Sequence, residues 1–329
     1  MRGPGAVKRF THLEGVKIVA LCDIHPERVE DCQKVLRKAG LPEATDYSGS
    51  ADAWKKLCER DDIDLVYIST DWDTHVPMSL FAMEHGKHVA CEVPIALTVE
   101  DCWKLVDMAE KTRLHCMMLE NCCYDFFEMA TLNMAQKGIL GEIVHAEGAY
   151  IHDLRQLNFE DPARGGYNNW WRLEYNTHHT GNPYATHGLG PVAQALNLGR
   201  GDRMEYLVSL SSDQFGMTAY AEKKFGKDSE EAKREYKMGD MNTSVIRTAK
   251  GKSIMIQHDV TSPRPYNRKH ALSGTKGYIE KYPRPGIALD PSDELSVNFE
   301  NLSAHGFLPE KQFDEMMKNY EHPITREVG

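Results

Sequence analysis

The chain has 329 residues, 41% of them hydrophobic, so it can bury a sizeable core and is long enough for two domains rather than one. Its formal charge of −10 argues against a broad nucleic-acid interface, which needs clustered lysine and arginine, and favours small polar ligands. No stretch approaches the roughly 18 uninterrupted apolar residues of a membrane span. From the charge and from this pattern, respectively, we expect neither nucleic acid nor membrane as a partner.

The first part of the chain alternates between predicted helices and strands. Residues 4–11 are predicted as a helix, and residues 16–22 as a buried strand that ends at Asp23. Further helices are predicted over residues 26–40, 50–60 with Ser50 as cap, 74–85 and 99–113, and further strands over residues 64–69, 88–91 and 114–119. This alternation predicts an α/β fold with a Rossmann-type, doubly wound parallel sheet.

After residue 122 the predicted strands are separated mainly by loops. They cover residues 143–150, 204–211, 243–248, 253–259 and 276–279. Such runs of strands predict a second, α+β domain with a mostly antiparallel sheet. Residues 152–183 are predicted to be a long functional loop, and residues 219–239 a charged, solvated helical insertion. The predicted domains are therefore residues 1–122 and residues 123–329.

The start of the chain resembles the middle of a Rossmann unit. Such a unit begins with a strand, followed by a glycine-rich turn and a helix. Here the glycines of the turn, Gly3 and Gly5, lie among the first five residues, so we expect the first strand to precede Met1. The chain as it stands predicts a cytoplasmic protein, whereas an export signal before Met1 would make it periplasmic or secreted.

The eight cysteines all lie between Cys22 and Cys123, and none forms a Cys-x-x-Cys pair. They fall on predicted buried strands and helices, where free cysteine behaves as a small hydrophobe. We predict reduced core thiols, with a zinc site or a disulfide framework as the alternatives. Because the adjacent His178 and His179 point in different directions in an extended chain, we predict no metal site.

Polar residues follow three successive predicted strands. They are residues 70–75, Glu92, and the pair Glu120 and Asn121. Ligands of parallel sheets bind beyond the carboxyl ends of the strands, so these residues indicate a cofactor site. Asp23 lies about 20 residues after Gly3, the spacing at which a carboxylate accepts from ribose hydroxyls and repels a 2′-phosphate, which predicts NAD rather than NADP. Helix capping by Thr74 and a helix-dipole contact of Glu92 are the structural alternatives.

The second domain contains a dense aromatic and polar segment, residues 168–172 and 178–188. Aromatic planes with nearby amide and guanidinium donors suit a sugar, whose ring has an apolar face and a rim of hydroxyls. His187 precedes a helix predicted to start near residue 190, where an imidazole can act as acid or base near neutral pH. The alternatives are that the two tryptophans anchor a loop and that His187 is structural.

Several motifs resemble those of glycoside hydrolase family 109, the NAD-dependent α-N-acetylgalactosaminidases of the Gfo/Idh/MocA superfamily. They are Arg2-Gly3, Cys22-Asp23, Trp72-Asp73-Thr74-His75, Glu92-Val93-Pro94, Glu120-Asn121, Trp171-Arg172 and Tyr184-Ala185-Thr186-His187. The resemblance covers essentially the whole chain. Because the family has a strand before this start and further strand and helix beyond this end, we expect the chain to be truncated at both ends.

The resemblance implies which residues bind each ligand. NAD is expected to contact Arg2, Gly3, Asp23, Trp72, Thr74, His75, Glu92, Val93 and Asn121. The sugar is expected to contact Tyr150, Arg172, Tyr184, His187 and Tyr266. The resemblance ties Glu120, Tyr150, His187 and Tyr266 to activity. Our own hypothesis takes His187, Tyr150, Glu120 and Tyr184 as the catalytic residues.

The activity implied by the resemblance is hydrolysis of terminal α-linked N-acetylgalactosamine. NAD-dependent oxidation at C3 is followed by elimination, water addition and re-reduction. We expect His187, beside Tyr184, to assist at the 3-hydroxyl, and Tyr150, aided by Glu120, to take the C2 proton. Arg172 and Tyr266 are expected to orient the sugar.

Two other functions fit parts of the sequence. One is an NAD-dependent sugar dehydrogenase, and the other is a non-catalytic fragment that binds NAD or a sugar. Val93 and Pro183 argue against the dehydrogenase, because dehydrogenases of similar layout carry a lysine and an aspartate at these positions. We also expect a homo-oligomer formed through the sheet of the second domain.

Overall fold

The computed structural model describes residues 2–299, 302–303 and 305–328, and the chain forms two compact units, Met1–Leu119 and Glu120–Gly329. The division falls close to the boundary predicted after residue 122. Within the described ranges, no helix has both the length and the apolar character needed to cross a bilayer.

The first unit consists of short parallel strands that alternate with helices. The helices are α1 (Arg2–Phe10), α2 (Pro26–Lys38), α3 (Ala53–Cys58), α4 (Trp72–Glu84) and α5 (Val99–Thr112). The strands are β1 (Ala20–Asp23), β2 (Thr45–Ser48), β3 (Leu65–Ile68), β4 (His88–Glu92) and β5 (Cys116–Leu119). All paired strands are parallel, β1 with β2 in one sheet and β3, β4 and β5 in another. The predicted Rossmann-type parallel fold is confirmed, with its strands in two ladders.

Several boundaries in this unit differ from those predicted. The first strand begins only at Ala20, and α3 begins after Asp52 rather than at Ser50. Helix α4 begins two residues before the predicted Thr74. By contrast, α5 begins at Val99 as predicted, and Thr98 caps it, because its hydroxyl accepts a hydrogen bond from the backbone N–H of Asp101 at 3.1 Å.

The second unit is built on one seven-stranded sheet. Its strands are β6 (Ile143–Ile151), β7 (Met204–Ser211), β8 (Asn242–Thr248), β9 (Ser253–Asp259), β10 (Ala271–Gly274), β11 (Gly277–Glu280) and β12 (Gly286–Leu289). The order is β12-β11-β10-β6-β9-β8-β7, and every neighbouring pair is antiparallel except β6 and β9. The predicted α+β unit with a mostly antiparallel sheet is confirmed.

The helices of this unit carry much of the chain that the sequence left as loop. They are α6 (Phe126–Gln136), α7 (Arg155–Asn158), α8 (Trp171–His178), α9 (Thr186–Ala195), α10 (Gly216–Phe225), α11 (Glu230–Lys233), α12 (Glu310–Asn319) and α13 (Pro323–Val328), with short 3-10 helices at Asn121–Tyr124, Pro162–Arg164, Asn168–Trp170 and Glu294–Asn298. The prediction of one long loop over residues 152–183 is wrong, because α8 forms there. The predicted insertion at residues 219–239 is helical only in part, and it is not merely solvated, since Ala221 and Tyr236 are buried in a small cluster with Phe159 and Leu173.

Helix α9 packs directly on the central strand β6. A side-chain Cβ on Gly148 would lie 2.3 Å from the carbonyl oxygen of Gly188, and one on Gly188 would lie 2.2 Å from the backbone nitrogen of Ala149. The helix also starts four residues before the position predicted from the sequence, at Thr186. Glycine disfavours helix by about 1 kcal/mol relative to alanine, so packing against the sheet, rather than propensity, stabilises this helix.

The core of the second unit lies between the sheet and helices α6, α9 and α12. Its fully buried members include Met134, Val192, Ile254, Leu272 and Ile279. This core fixes the face of β6 against which α9 packs. The residues next to the Gly148–Gly188 contact on β6 and α9 are therefore held close to one another.

We expect alanine at Gly148 or Gly188 to destabilise the chain by about 1–3 kcal/mol each, because the added methyl group overlaps backbone atoms that cannot move freely. Urea unfolding at an unchanged m-value measures the change. Gly306→Ala is the matched control, since its Cβ would meet only ordinary contacts, the nearest at 3.7 Å. Equal midpoints for Gly188→Ala and the control would contradict the packing argument.

Candidate active site

The first unit places the predicted cofactor residues at helix starts and strand ends. Arg2 and Gly3 begin α1, Asp23 ends β1, Trp72, Thr74 and His75 form the first turn of α4, Glu92 ends β4, and Val93 follows it. The remaining one, Asn121, begins the short 3-10 helix at the start of the second unit. The residues of this unit that were predicted to bind NAD therefore lie at strand ends and helix starts, and their contacts with NAD stay a prediction.

Two side chains of this group connect neighbouring loops. In the buried ring of His75, Nδ1 lies 2.7 Å from the carbonyl oxygen of Pro94 and Nε2 lies 3.2 Å from that of Thr70, and a neutral imidazole donates to one of the two. Glu92 accepts a hydrogen bond from the hydroxyl of Tyr67 at 2.5 Å. The loop after β3 and the loop after β4 are thus held together by side chains from inside the unit.

Tyr67 was missed by the sequence analysis. It stands in the otherwise aliphatic segment Leu65–Ile68, and this polar exception was the available signal. Burial and the hydrogen bond to Glu92 raise the pKa of Tyr67, so it is a hydrogen-bond donor that orients the carboxylate. The Arg2 guanidinium lies 3.8 Å from the other oxygen of Glu92.

The residues present in this unit fit a dinucleotide. The Asp23 carboxylate is partly exposed at the end of β1 and accepts a hydrogen bond from the backbone of His25 at 2.9 Å, which leaves acceptor capacity for ribose hydroxyls. A Cβ on Gly3 would meet its nearest atom, the Cys32 sulfur, only at 4.0 Å, so the backbone of the first turn of α1 is accessible. Both features are those expected of an NAD-binding edge.

In the second unit, the closest pair of predicted catalytic residues is Glu120 and His187. His187 Nδ1 lies 2.7 Å from Glu120 Oε1, and both residues are 5% exposed. The same oxygen accepts the backbone N–H of Cys122 at 2.9 Å. Although burial opposes ionisation, the hydrogen bond and charge of His187 hold the pKa of Glu120 below its usual value. A carboxylate can only accept, so His187 carries a proton on Nδ1.

Glycine makes this pair possible. A Cβ on Gly190 would lie 2.9 Å from Glu120 Cγ and 3.0 Å from the Cys123 sulfur. The second oxygen of Glu120, Oε2, is buried as well, and after His187 and the Cys122 N–H the Thr186 hydroxyl also lowers the pKa of this carboxyl.

Aromatic rings surround the His187 imidazole. The Tyr150 ring centroid is 5.3 Å from that of His187, and the Tyr184 centroid is 4.8 Å from both. Tyr150 and Tyr184 are both buried. The structure therefore brings together His187, Tyr150, Glu120 and Tyr184, the four residues that the sequence proposed as catalytic.

Arg172 adds a buried positive charge to this group. It belongs to α8, and its guanidinium carbon lies 5.1 Å from the Tyr184 ring centroid and 6.0 Å from that of Tyr150. Its Nη1 donates to the hydroxyl of Tyr167 at 3.1 Å. Burial disfavours the charge, but the neighbouring tyrosines raise the pKa of Arg172, so it stays a cation.

Tyr266 lies at the more open side of the cluster. It is 43% exposed, and its ring centroid is 6.4 Å from that of Tyr150. Burial of its hydroxyl raises the pKa of Tyr266, so it is a phenol that can donate a hydrogen bond. All five residues predicted to contact the sugar thus lie in one aromatic cluster of the second unit.

Two histidines of the cluster were missed by the sequence analysis. His152 Nδ1 lies 3.0 Å from the Tyr150 hydroxyl, and the His258 ring stacks on Tyr150 at 6.1 Å. Burial, followed by the charge of Arg172, lowers the pKa of His258 to about 3. For His152 the available signal was its position two residues after Tyr150, because alternate residues of a strand share a face.

The nearest approach to a metal site in the described chain is Glu120, Cys122 and His187, whose ligand atoms lie within 4.8 Å of one another. The carboxylate and the imidazole are already hydrogen-bonded to each other. Burial raises the pKa of Cys122 to about 12, so its thiol is protonated rather than a ligand. We therefore treat these groups as a hydrogen-bonded pair, and the absence of a metal stays a prediction.

The two parts of the chain match two known families. Residues 3–120 match the oxidoreductase family with an NAD-binding Rossmann fold, and residues 124–329 match the glycosyl hydrolase 109 C-terminal domain. The predicted NAD cofactor is thereby confirmed. The predicted hydrolase class is confirmed by the second match.

Relatives and solved structures agree with these matches. An α-N-acetylgalactosaminidase from Bacteroides fragilis is 58% identical over 328 residues, which cover 100% of this chain and 74% of that protein. An aldose-aldose oxidoreductase from Caulobacter crescentus complexed with glycerol matches with a TM-score of 0.63 at 18% identity, over 97% of this chain and 86% of that one.

An inositol dehydrogenase homolog from Azotobacter vinelandii, complexed with NADH and myo-inositol, matches with a TM-score of 0.60 at 17% identity, over 96% of this chain and 80% of that one. At such identities the two structures show the fold alone. The family model of the second unit, however, covers more than half of the chain, and the B. fragilis relative is similar along all of it. The chain therefore belongs to glycoside hydrolase family 109, as its motifs indicated.

Proposed function

We propose that this protein hydrolyses terminal α-linked N-acetylgalactosamine, using NAD that is regenerated in each turnover. The observation that carries the proposal is the buried Glu120–His187 pair beside Tyr150, because it supplies two separate proton-handling groups in one cluster. Hydrolysis through a ketone needs both, one for a hydroxyl and one for a carbon acid. The name of the B. fragilis relative supports the choice of substrate.

His187 is assigned to the 3-hydroxyl of the sugar. Since Nδ1 is bonded to Glu120, Nε2 is the nitrogen that can take the hydroxyl proton. The carboxylate stabilises the imidazolium that results. NAD, when bound, supplies the oxidation of the sugar at C3 and its later reversal. Glu120 thus supports His187, whereas the sequence had assigned it to aid Tyr150.

Tyr150 is assigned to the proton on C2, which becomes acidic once C3 is a ketone. The guanidinium carbon of the buried Arg172 lies 6.0 Å from the Tyr150 ring centroid, where its charge stabilises negative charge that develops on the tyrosine oxygen during the step. Tyr184, Arg172 and Tyr266 surround the same space with ring faces and donors. They are assigned to orient the sugar ring and its hydroxyls.

If C2 deprotonation is on the pathway, N-acetylgalactosaminide deuterated at C2 loses its label to solvent during turnover. The expected product in ordinary water therefore carries hydrogen at C2, and mass spectrometry of the released sugar measures it. Complete retention of deuterium in the product would exclude the elimination route.

The matching control uses the cofactor. Protein stripped of NAD should lose hydrolysis and regain it when NAD is added, a behaviour not expected of a glycosidase that works with two carboxylates. Net accumulation of NADH with free sugar would instead identify a dehydrogenase. Full activity of the stripped protein would contradict the proposal.

Replacing His187 by asparagine, or Tyr150 by phenylalanine, should lower kcat by roughly 10²–10⁴-fold, the usual contribution of an acid or base group. Steady-state hydrolysis of a nitrophenyl N-acetylgalactosaminide measures the loss. His178→Asn is the matched control at a well-exposed position and should keep the parent rate. Unchanged rates in the first two variants would remove those residues from their roles.

We also propose that the protein forms a homo-oligomer through the sheet of the second unit. Strand β7 is the edge of this sheet, and Tyr206, Val208 and Leu210 on one of its faces are 57%, 66% and 76% exposed. Val245, paired with Val208 on β8, extends the apolar patch. An exposed apolar edge strand is a surface that a second copy can cover.

The double variant Val208→Lys with Leu210→Lys should be monomeric where the parent protein is a dimer or larger, because two charges would be buried in the interface. Sedimentation velocity measures the change. Phe215→Lys places the same charge on an exposed aromatic residue outside the sheet, and it should assemble like the parent. A monomeric parent, or an assembled double variant, would argue against this interface.

A further inference from the structure

The hydroxyl of Tyr150 has a specific partner that the assignment above does not use. Tyr150 and His152 stand two residues apart at the carboxyl end of β6, and the hydroxyl oxygen lies 3.0 Å from His152 Nδ1. The backbone N–H of His152 donates to the carbonyl oxygen of Asp259 on β9 at 2.9 Å. The imidazole is therefore held in place by both its backbone and its ring.

The surroundings keep this imidazole able to accept a proton. Burial is the main cause that lowers the pKa of His152, the charge of Arg172 adds to it, and the neighbouring Asp153 opposes it. Asp153 is itself paired with Arg155 at 2.7 Å, which weakens its influence. His152 is thus neutral near neutral pH.

We propose that His152 accepts the hydroxyl proton of Tyr150 while Tyr150 takes the proton from C2 of the sugar. The inference rests on the proposed function and adds a positioning residue to it. The Tyr150 O–H bond breaks as a bond forms from that proton to His152 Nδ1. The C2–H bond breaks as its proton joins the phenolate oxygen, and the electron pair left on C2 delocalises into the 3-ketone. The products are the enolate, the restored phenol and an imidazolium.

Two other histidines near Tyr150 are less suited to accept its hydroxyl proton. His258 is 1% exposed and strongly disfavours a positive charge, so it stays neutral and cannot pass a proton to water. His187 is engaged by Glu120. His152 is only half-buried, so a proton taken up there can leave to solvent. This difference in exposure singles out His152.

The first test is His152→Asn in the NAD-loaded enzyme. The asparagine side-chain oxygen can still accept a hydrogen bond from Tyr150, but it cannot gain a proton. We expect kcat to fall roughly 10²-fold with KM nearly unchanged, and the kinetic isotope effect with C2-deuterated substrate to rise. His145→Asn is the matched control on the same strand, where the ring bonds the Ser253 hydroxyl at 2.7 Å, and it should keep the parent rate.

The pH profile separates proton transfer from simple packing. In the parent enzyme, loss of the C2 label should slow as pH falls through a value below the usual histidine pKa of about 6.5, because protonated His152 can no longer accept. This acid limb should be absent in His152→Asn. The charged and titratable groups that face the imidazole are Tyr150, Asp153, Arg172, His187 and Tyr266. They are present in both proteins, so any difference between the two profiles comes from residue 152, and identical pH profiles for the parent and His152→Asn overturn the proposal.

The outcomes distinguish this inference from the function on which it rests. If the parent enzyme retains all C2 deuterium, the elimination route fails whatever His152 does. If the parent loses the label and His152→Asn loses it equally fast, only the role of His152 fails. Should the asparagine variant unfold, His152→Gln, whose longer amide also accepts but does not titrate, is measured in the same way and overturns the proposal if it has the parent rate and pH profile.

Discussion

The close contact between strand β6 and helix α9 is the constraint on which the candidate site depends. Only hydrogen in place of a side chain at Gly148 and Gly188 lets the two backbones meet. His187 directly precedes one glycine, and Tyr150 follows the other by two residues. Gly190, two residues further along α9, leaves the space that Glu120 occupies. A site whose residues come from distant parts of the chain is therefore assembled by three positions that carry no side chain.

The electrostatics of the cluster follow from two buried charges of opposite sign. Glu120 is compensated by the imidazole of His187 and a backbone N–H, whereas Arg172 is compensated by the Tyr167 hydroxyl and by neighbouring tyrosine rings. Buried charges without such partners would be strongly destabilising. Burial, reinforced by the charge of Arg172, lowers the pKa values of His152 and His258 and favours their neutral forms. The cluster thus combines a carboxylate–imidazole pair with two further imidazoles that can accept hydrogen bonds.

The sequence predicted the alternating first unit and the residue types of the site, because periodicity and motifs are local properties. It did not predict that Glu120 bonds His187, because that contact joins residues far apart in the chain. The contact also depends on glycines whose role is visible only in the packed structure. Helix α8 was taken as loop, because asparagine, glycine and adjacent tryptophans give no amphipathic period there. The sequence did not indicate His152, because its proposed role depends on the direction in which the Tyr150 hydroxyl points.

The single parallel pair in the second sheet has a consequence for how this protein folds. Strands β6 and β9 lie side by side, yet the chain between them, residues 152–252, contains α7 to α11 and two further strands. Closing so long a crossover costs chain entropy before any pairing is gained, and non-local pairings of this kind slow folding. The segments that carry Arg172, Tyr184 and His187 all belong to the crossover. Substrate recognition should accordingly be among the last properties acquired on the folding pathway, after the antiparallel hairpins have formed.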